Sequence, residues 1–534
     1  MFNIYTLLLL CYIFVIMIKG DDTMKKSFLT KAISLILVTA LLLIPFSGTL
    51  SFASETEKCP RIHVPGIMAT DVYADINNPD GGLAWPPSTD AILNLVKDCI
   101  PALLEFSVTK DWEKLGNTIS PLAYELFEPA MCDPDGGTEN GTGIIFEYPT
   151  KEQLETNPNT TFRYDWRADP VVSAAQLNDY INYILEMTGA EKVAIECHSL
   201  GGVVTISYCS IYGHEKIDAV AFNSSAIFGE SYTGDLLSGD IVLSNDSLMA
   251  YLDFAFDSTE QEELMSKIFD LLENAGLGDL VADLGNDILA NLSDILLPEV
   301  VAPLFARWLT IWAMVPDDKI DEAMEYTFTN YITEDTEGAA ELRAKIENYN
   351  KLVRDNKKQT LLSIDKDCKV GVIARYGYSS IPATSSWQEV SDGVIDTKNA
   401  SFGATVALYN SVLDDDIIDN TDAKYISPDK TINASTCLFP EKTWFIKGAK
   451  HSDNYDDLNA LVETILYSDC EISVDSDSRF PRFLKYDFNS DSIIPDDGTT
   501  ADTTPDGILG FIAKIREFFA SFLQKLRNFF GLMQ

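Results

Sequence analysis

The sequence predicts an α/β protein: a mostly parallel sheet covered by helices on both faces, a helical cap inserted between strands, and a C-terminal amphipathic helix. Three observations carry that expectation. Short β-branched runs alternate with helical stretches, one long interval between two of those runs is purely helical in pattern, and the last segment has an apolar and a basic face.

The runs "RIHV" (61–64), "FRYDW" (162–166), "KVAIE" (192–196), "DAVAF" (218–222), "KVGVIARYG" (369–377) and "TWFIKG" (443–448) read as buried strands. Between the third and fourth lies "GGVVTISYCSIYG", a helix. Between the fourth and fifth, "QEELMSKIFDLLENAG", "VADLGNDILANLSDILLPEV" and "DEAMEYTFTNYI" repeat apolar residues at the spacing of amphipathic helices. An interval of that length is a cap or lid, or an ordinary helical subdomain, and not a loop. The expected division is a first core part over 54–227, the cap over 228–350, a second core part over 351–475, a polar linker over 476–506 and the amphipathic helix over 507–534.

The N-terminal residues form an export address that starts late. "MKKSFLTK" from Met24 is a basic region, "AISLILVTALLLIPFSG" an apolar one, and small residues at Ser51 and Ala53 suit cleavage after Ala53, giving a signal peptide over 24–53. Residues 1–23 form a second apolar run. Lys19, Gly20 and Asp21 back-translate to a purine-rich ribosome-binding sequence ahead of Met24, which favours a start-site artefact; a transmembrane anchor is the alternative.

The formal charge of −43 on 534 residues excludes nucleic acid as a partner, because a polyanion is repelled over most of such a surface. Hydrophobic residues at 46 % place the bulk among globular chains. Cys59, Cys99, Cys132, Cys197, Cys209, Cys368, Cys437 and Cys470 follow the signal, an even number that permits disulfides without assigning any. Cys197 and Cys209 read as small buried thiols. With no CxxC pair, neither a metal nor a cofactor is expected. In the linker, "DFNSD" starts like a calcium loop, but Ser492 and Gly498 stand where Gly and Glu are needed, so it reads as solvated chain.

In the last segment Ile508, Phe511, Ile512, Ile515, Phe518, Phe519, Phe522, Leu526, Phe529 and Phe530 share one helical face, with Lys514, Arg516, Lys525 and Arg527 off it. That pattern suits a bilayer surface, and equally docking onto a protein.

The chemistry centres on "AIECHSLGGVV" (194–204). C-H-S-L-G has the spacing of the nucleophile elbow G-x-S-x-G, a sharp strand-to-helix turn whose flanking positions must be small. Gly201 meets the later requirement; Cys197 stands where the first glycine belongs, little larger than alanine. A serine hydroxyl needs a base at neutral pH. Of four histidines, His63 lies at the end of a strand, His198 in the elbow and His214 behind the next helix, leaving His451 on the loop after "TWFIKG". The base needs a carboxylate to hold its tautomer, and "EVSDGVIDTKNAS" offers Asp392, with Asp396 as runner-up. The order Ser199, Asp392, His451 is that of hydrolases with this elbow. Oxyanion donors are expected from the N–H of Leu200 and from that of Ile67, after the Pro65-Gly66 turn.

"HVPGIMATDVYAD", "FRYDWR", "HSLGG", "SDGVIDTKNAS" and "KGAKHSD", in that order, resemble the lecithin–cholesterol acyltransferase-like lipases of the α/β-hydrolase superfamily; the likeness covers roughly residues 59–470, the cap only loosely. Tyr164-Asp165-Trp166-Arg167 is its most telling piece, and Asp165 with Arg167 reads as an ion pair bracing the sheet. The resemblance implies the α/β-hydrolase fold, Ser199, Asp392 and His451 as triad, and Ile67 with Leu200 as oxyanion donors. Cys197 departs from the family's usual glycine.

The expected activity is that of a secreted or envelope-associated serine esterase or lipase cleaving acylglycerol or phospholipid esters through an acyl-enzyme. The alternatives are an O-acyltransferase passing the acyl group to a lipid hydroxyl, the same triad acting on amides, and a non-catalytic surface-binding module on an old hydrolase scaffold.

Overall fold

The computed structural model describes residues 59–85, 111–241, 302–382, 384–470, 472–487 and 490–498, with isolated positions between 91 and 109 and at 247, 250 and 300. The expected segments 1–23 and 24–53, the two cap helices within 261–299 and the amphipathic helix over 507–534 lie outside the described residues.

Eight strands form the main sheet: β1 Arg61–Val64, β2 Thr160–Thr161, β3 Val193–His198, β4 Ile217–Asn223, β5 Lys369–Tyr376, β6 Thr443–Lys447, β7 Phe483–Asp487 and β8 Ser492–Pro495. Their spatial order is β2-β1-β3-β4-β5-β6-β7-β8. Every neighbouring pair is parallel except β7 with β8. A parallel sheet needs cover on both faces, and its central strands β3 to β6 are accordingly largely apolar.

The helices used below are α1 Pro170–Thr188, α2 Leu200–Tyr212, α3 Ser231–Ser238, α4 Ile320–Asn330, α5 Ala339–Tyr349, α6 Lys357–Asp367 and α7 Asp456–Tyr467. Alternation along each strand splits the core in two. Val193, Ile195 and Cys197 face the side of α1 and α2, whereas Ala194, Ala219, Ala221, Ile373, Trp444 and Ile446 pack with Leu458, Leu461 and Ile465 of α7. The described part of the helical insertion between β4 and β5 is held together by buried cations. Arg354 donates to the carbonyls of Val315 (2.6 Å) and Trp312 (2.7 Å), and Lys357 to that of Ile227 (2.9 Å). Both also pair with Asp317, which offsets part of the cost of burying their charge.

Two expectations need correction. "FRYDW" is not a strand: β2 ends at Thr161, one last bond joins Phe162 N–H to His63 O (2.9 Å), and the chain then turns, Ala168 N–H reaching Asp165 O at 3.1 Å. The aromatic side chains that look β-forming there serve packing and loop bonds instead. The supposed linker over 476–506 contains β7 and β8, so the second core part runs past 475 to Pro495. The apolar residues of these strands come in pairs broken by polar ones, and Lys485 is neutralised by Asp497 at 2.9 Å, so a short edge hairpin reads as polar chain. Of the "DFNSD" stretch only Asp487, Ser490 and Asp491 are described, with Ser490 Oγ donating to Asp487 Oδ2 at 2.6 Å.

Candidate active site

Ser199 stands between β3 and α2 with φ 56° and ψ −125°, a region that a non-glycine residue enters only at a cost of about 1–3 kcal/mol. Its main chain is held there from both sides. Ser199 N–H donates to Asn223 O (3.2 Å), and Ser199 O accepts from Gly202 N–H (3.0 Å) and Ala226 N–H (3.1 Å). The tightness shows at Gly201, where an added Cβ would lie 2.0 Å from Val64 O. Cys197 fits without distorting the turn: it is fully buried, its Sγ 3.6 Å from Ala221 O and 3.8 Å from Ser225 Oγ. Burial pushes this thiol up to about 12, so it is neutral packing material.

The loop after β1 runs directly over the serine. A Cβ on Gly66 would come within 2.8 Å of Ser199 Cβ and 3.2 Å of its Oγ, so only glycine allows that approach. Both ends of the loop are pinned by the motif that failed as a strand. Tyr164 OH donates to Pro65 O at 2.8 Å and Trp166 Nε1 to Thr70 O at 2.9 Å. Among the described residues, the N–H groups of Ile67 and Leu200 donate to no protein acceptor. Asp165 and Arg167 do form a buried pair (Nη2 to Oδ2 2.7 Å), yet Arg167 continues to Ala130 O and Thr142 Oγ1. The pair braces loops and not the sheet.

Asp392 and His451 meet. His451 Nδ1 lies 2.8 Å from Asp392 Oδ2, while Asp392 Oδ1 accepts from Val394 N–H (3.1 Å) and Ile395 N–H (2.7 Å). Burial alone would raise this carboxyl; the His451 imidazole, the Ile395 amide and Arg375 outweigh it and hold it below the usual carboxylate range. Asp396, the runner-up, is elsewhere: its Oδ2 accepts from Ser231 N–H (2.9 Å) and Ser231 Oγ. Burial pushes it up to about 6.

His451 is joined to the elbow through the residue before Ser199. His198 Nε2 lies 2.9 Å from His451 O, and the two rings sit 4.5 Å apart. Burial, then the neighbouring His451 and Arg375, depress the His198 imidazole well below its ordinary value, which keeps it neutral and able to donate through Nε2. The remaining histidines are engaged away from the serine, His63 3.6 Å from Glu196 Oε2 and His214 3.1 Å from Asp367 Oδ2. The β3–α2 turn thus has near it a strained serine, an imidazole bonded to a carboxylate and joined to the turn through His198, and two unengaged amides. Among the described residues no group of three His, Cys, Asp or Glu side chains is placed to hold a metal ion, and no helix is long and apolar enough to cross a membrane.

The bonds from Arg375 to the His451 and Asp453 carbonyls (both 2.9 Å) and those from Tyr164 and Trp166 to the loop after β1 are not legible in the residues alone. An arginine inside the apolar run "KVGVIARYG" was the one available signal.

No protein-family model matches the chain, and no curated protein matches it. Among solved structures, a chain of "The crystal structure of Tle4-Tli4 complex" is similar at 14% identity, over 34% of this chain and 48% of that chain, with a TM-score of 0.18. The chain thus spans about half the length of that structure's chain, and a likeness of this degree carries no argument about fold or activity.

Proposed function

We propose that this chain is an exported serine ester hydrolase of the α/β-hydrolase superfamily, similar to the lecithin–cholesterol acyltransferase-like lipases, acting on lipid acyl esters. The observation that carries the reading is the strained Ser199 at a strand-to-helix turn with the Asp392–His451 pair beside it. The strand order supports it too, since the serine follows a central strand, the acid the strand two positions on, and the histidine the next.

In this reading Ser199 Oγ attacks the ester carbonyl while His451 Nε2 takes its proton. Asp392, bonded to Nδ1, keeps the imidazole in the tautomer whose Nε2 carries no proton and stabilises the imidazolium. The N–H groups of Ile67 and Leu200 receive the oxyanion, unengaged beforehand and so needing no rearrangement. His451 then returns the proton to the leaving alcohol, and water, activated by the same base, releases the acid. Ser199 Oγ and His451 Nε2 are expected to come within hydrogen-bonding distance when substrate binds.

The test is cleavage of p-nitrophenyl acyl esters together with fluorophosphonate labelling read by mass spectrometry. Label on Ser199, with both label and turnover lost in Ser199→Ala, is the expected result. Turnover that survives Ser199→Ala would refute the reading.

A further inference from the structure

We infer that Arg375, a buried cation on β5 bonded to the main chain of the His451 loop, is the positioning residue that fixes the base; this rests on the triad reading above.

The side chain is 1% exposed, in a strand whose other inward positions are apolar. Burying a guanidinium is costly unless its donors are satisfied, so where they point is informative. Nη1 reaches three carbonyl oxygens of one loop: Lys450, His451 (2.9 Å) and Asp453 (2.9 Å). Nη2 donates to Asn223 Oδ1 at 3.1 Å. Asn223 is the residue whose carbonyl takes the Ser199 N–H. One planar cation thus spans the loop of the base and the strand end that holds the nucleophile. A planar fork of fixed geometry can set the distance between them; a flexible ammonium, with one donor centre, cannot do so equally well.

The loop's start is tied to the end of β5, Gly448 N–H donating to Tyr376 O at 2.8 Å, and its far end stacks Tyr455 on Tyr486 of β7 at 4.5 Å. The loop closes locally, Lys450 N–H and Tyr455 OH both donating to Asp453 Oδ2 and Asp453 N–H to Lys450 O. Between those ends His451 carries two further attachments: its N–H donates to Asp392 O, and its carbonyl receives both Arg375 and His198. The main chain of the base is therefore fixed at both ends of one residue, and Arg375 supplies the charge-assisted bonds, the stronger kind. Desolvation, the largest influence on Arg375, lowers it; Asp392 and Asp453 oppose that, so the clamp and the triad carboxylate stabilise each other.

The decisive comparison uses wild type, Arg375→Lys and Arg375→Met, with thermal melting to report folding. Hydrogen exchange of the peptide over 449–455 is expected to quicken in both variants. On a soluble short-chain ester, kcat is expected to fall about tenfold in Arg375→Lys and about a hundredfold in Arg375→Met, with KM within twofold of wild type. Should Arg375→Met fail to fold, Arg375→Lys decides alone. A kcat within twofold of wild type in Arg375→Lys, unchanged exchange at 449–455, or a loss expressed in KM alone would overturn the inference. Absence of turnover and of Ser199 labelling in wild type would instead count against the hydrolase reading, and the exchange measurement would still decide whether the clamp exists.

Discussion

Asp392 and His451 are joined twice, through the side chains at 2.8 Å and through the main chain, His451 N–H to Asp392 O at 2.9 Å. A carboxylate and an imidazole that share both bonds keep a fixed relative geometry, and in the proposed reading the side-chain bond so held sets the tautomer of His451.

Asp392→Asn is therefore expected to lower kcat by a factor on the order of 10³–10⁴ with little change in KM, since an amide favours the wrong tautomer. Asp396→Asn, four residues on, should stay within about threefold of wild type, because its carboxylate serves Ser231. Steady-state kinetics of the pair checks the assignment; equal losses would show that the acid has been misplaced.

The two carboxylates also differ in how they respond to pH. Asp396, raised to about 6 by burial, holds its proton more tightly folded than unfolded. Its contribution is present below about pH 4 and is lost as pH rises through about 6, a swing of roughly 3 kcal/mol for one buried group. Glu230, pushed well above its usual value by burial and then by Asp396, acts in the same direction. Asp392 is depressed, so its contribution is present above the unfolded value and lost as pH falls through the folded one. Melting curves of wild type and Asp396→Asn at about pH 4 and pH 8 should show the difference moving in favour of the amide at the higher pH. A difference independent of pH would contradict this.

Tyr164→Phe removes one hydroxyl from beneath Pro65. The expected cost in stability is about 1 kcal/mol, with a larger effect on kcat than on KM, because the loop carrying the Ile67 amide loses one of its two anchors. Denaturant titration beside kinetics separates the two effects. A purely structural role would leave kcat untouched.

Cys197 tests whether the elbow tolerates its unusual residue as a passive filler. Fully buried and pushed up to about 12, it should resist iodoacetamide at about pH 8 in the native protein, whereas the exposed Cys470 reacts. Cys197→Ala should keep fluorophosphonate labelling of Ser199. Loss of labelling would mean that the thiol shapes the turn.

Much of the architecture was legible because buried parallel strands must be apolar: β3, β4, β5 and β6 announce themselves by composition. The elbow was legible because a close strand-to-helix turn restricts residue size at Gly201. The choice of His451 followed from scarcity, the other three histidines lying in places where no base is delivered. What remained hidden is what depends on contacts remote in sequence. Tyr164 and Pro65, or Arg375 and His451, are linked by geometry that no local pattern encodes. The edge hairpin β7–β8 was hidden for another reason: Lys485, Asp496 and Asp497 neutralise one another only once folded, so the segment looks soluble until its partners are known.

That hairpin sets where the polypeptide can be shortened. Composition suggests trimming at 475, but doing so would strip away the parallel neighbour of β6, from Phe445–Phe483 to Lys447–Lys485, and leave a raw hydrogen-bonding border of the kind that recruits other chains. A truncated version intended for crystallisation or display should retain everything through Gly498; a cut at 475 should yield aggregates whose cause has nothing to do with the catalytic centre.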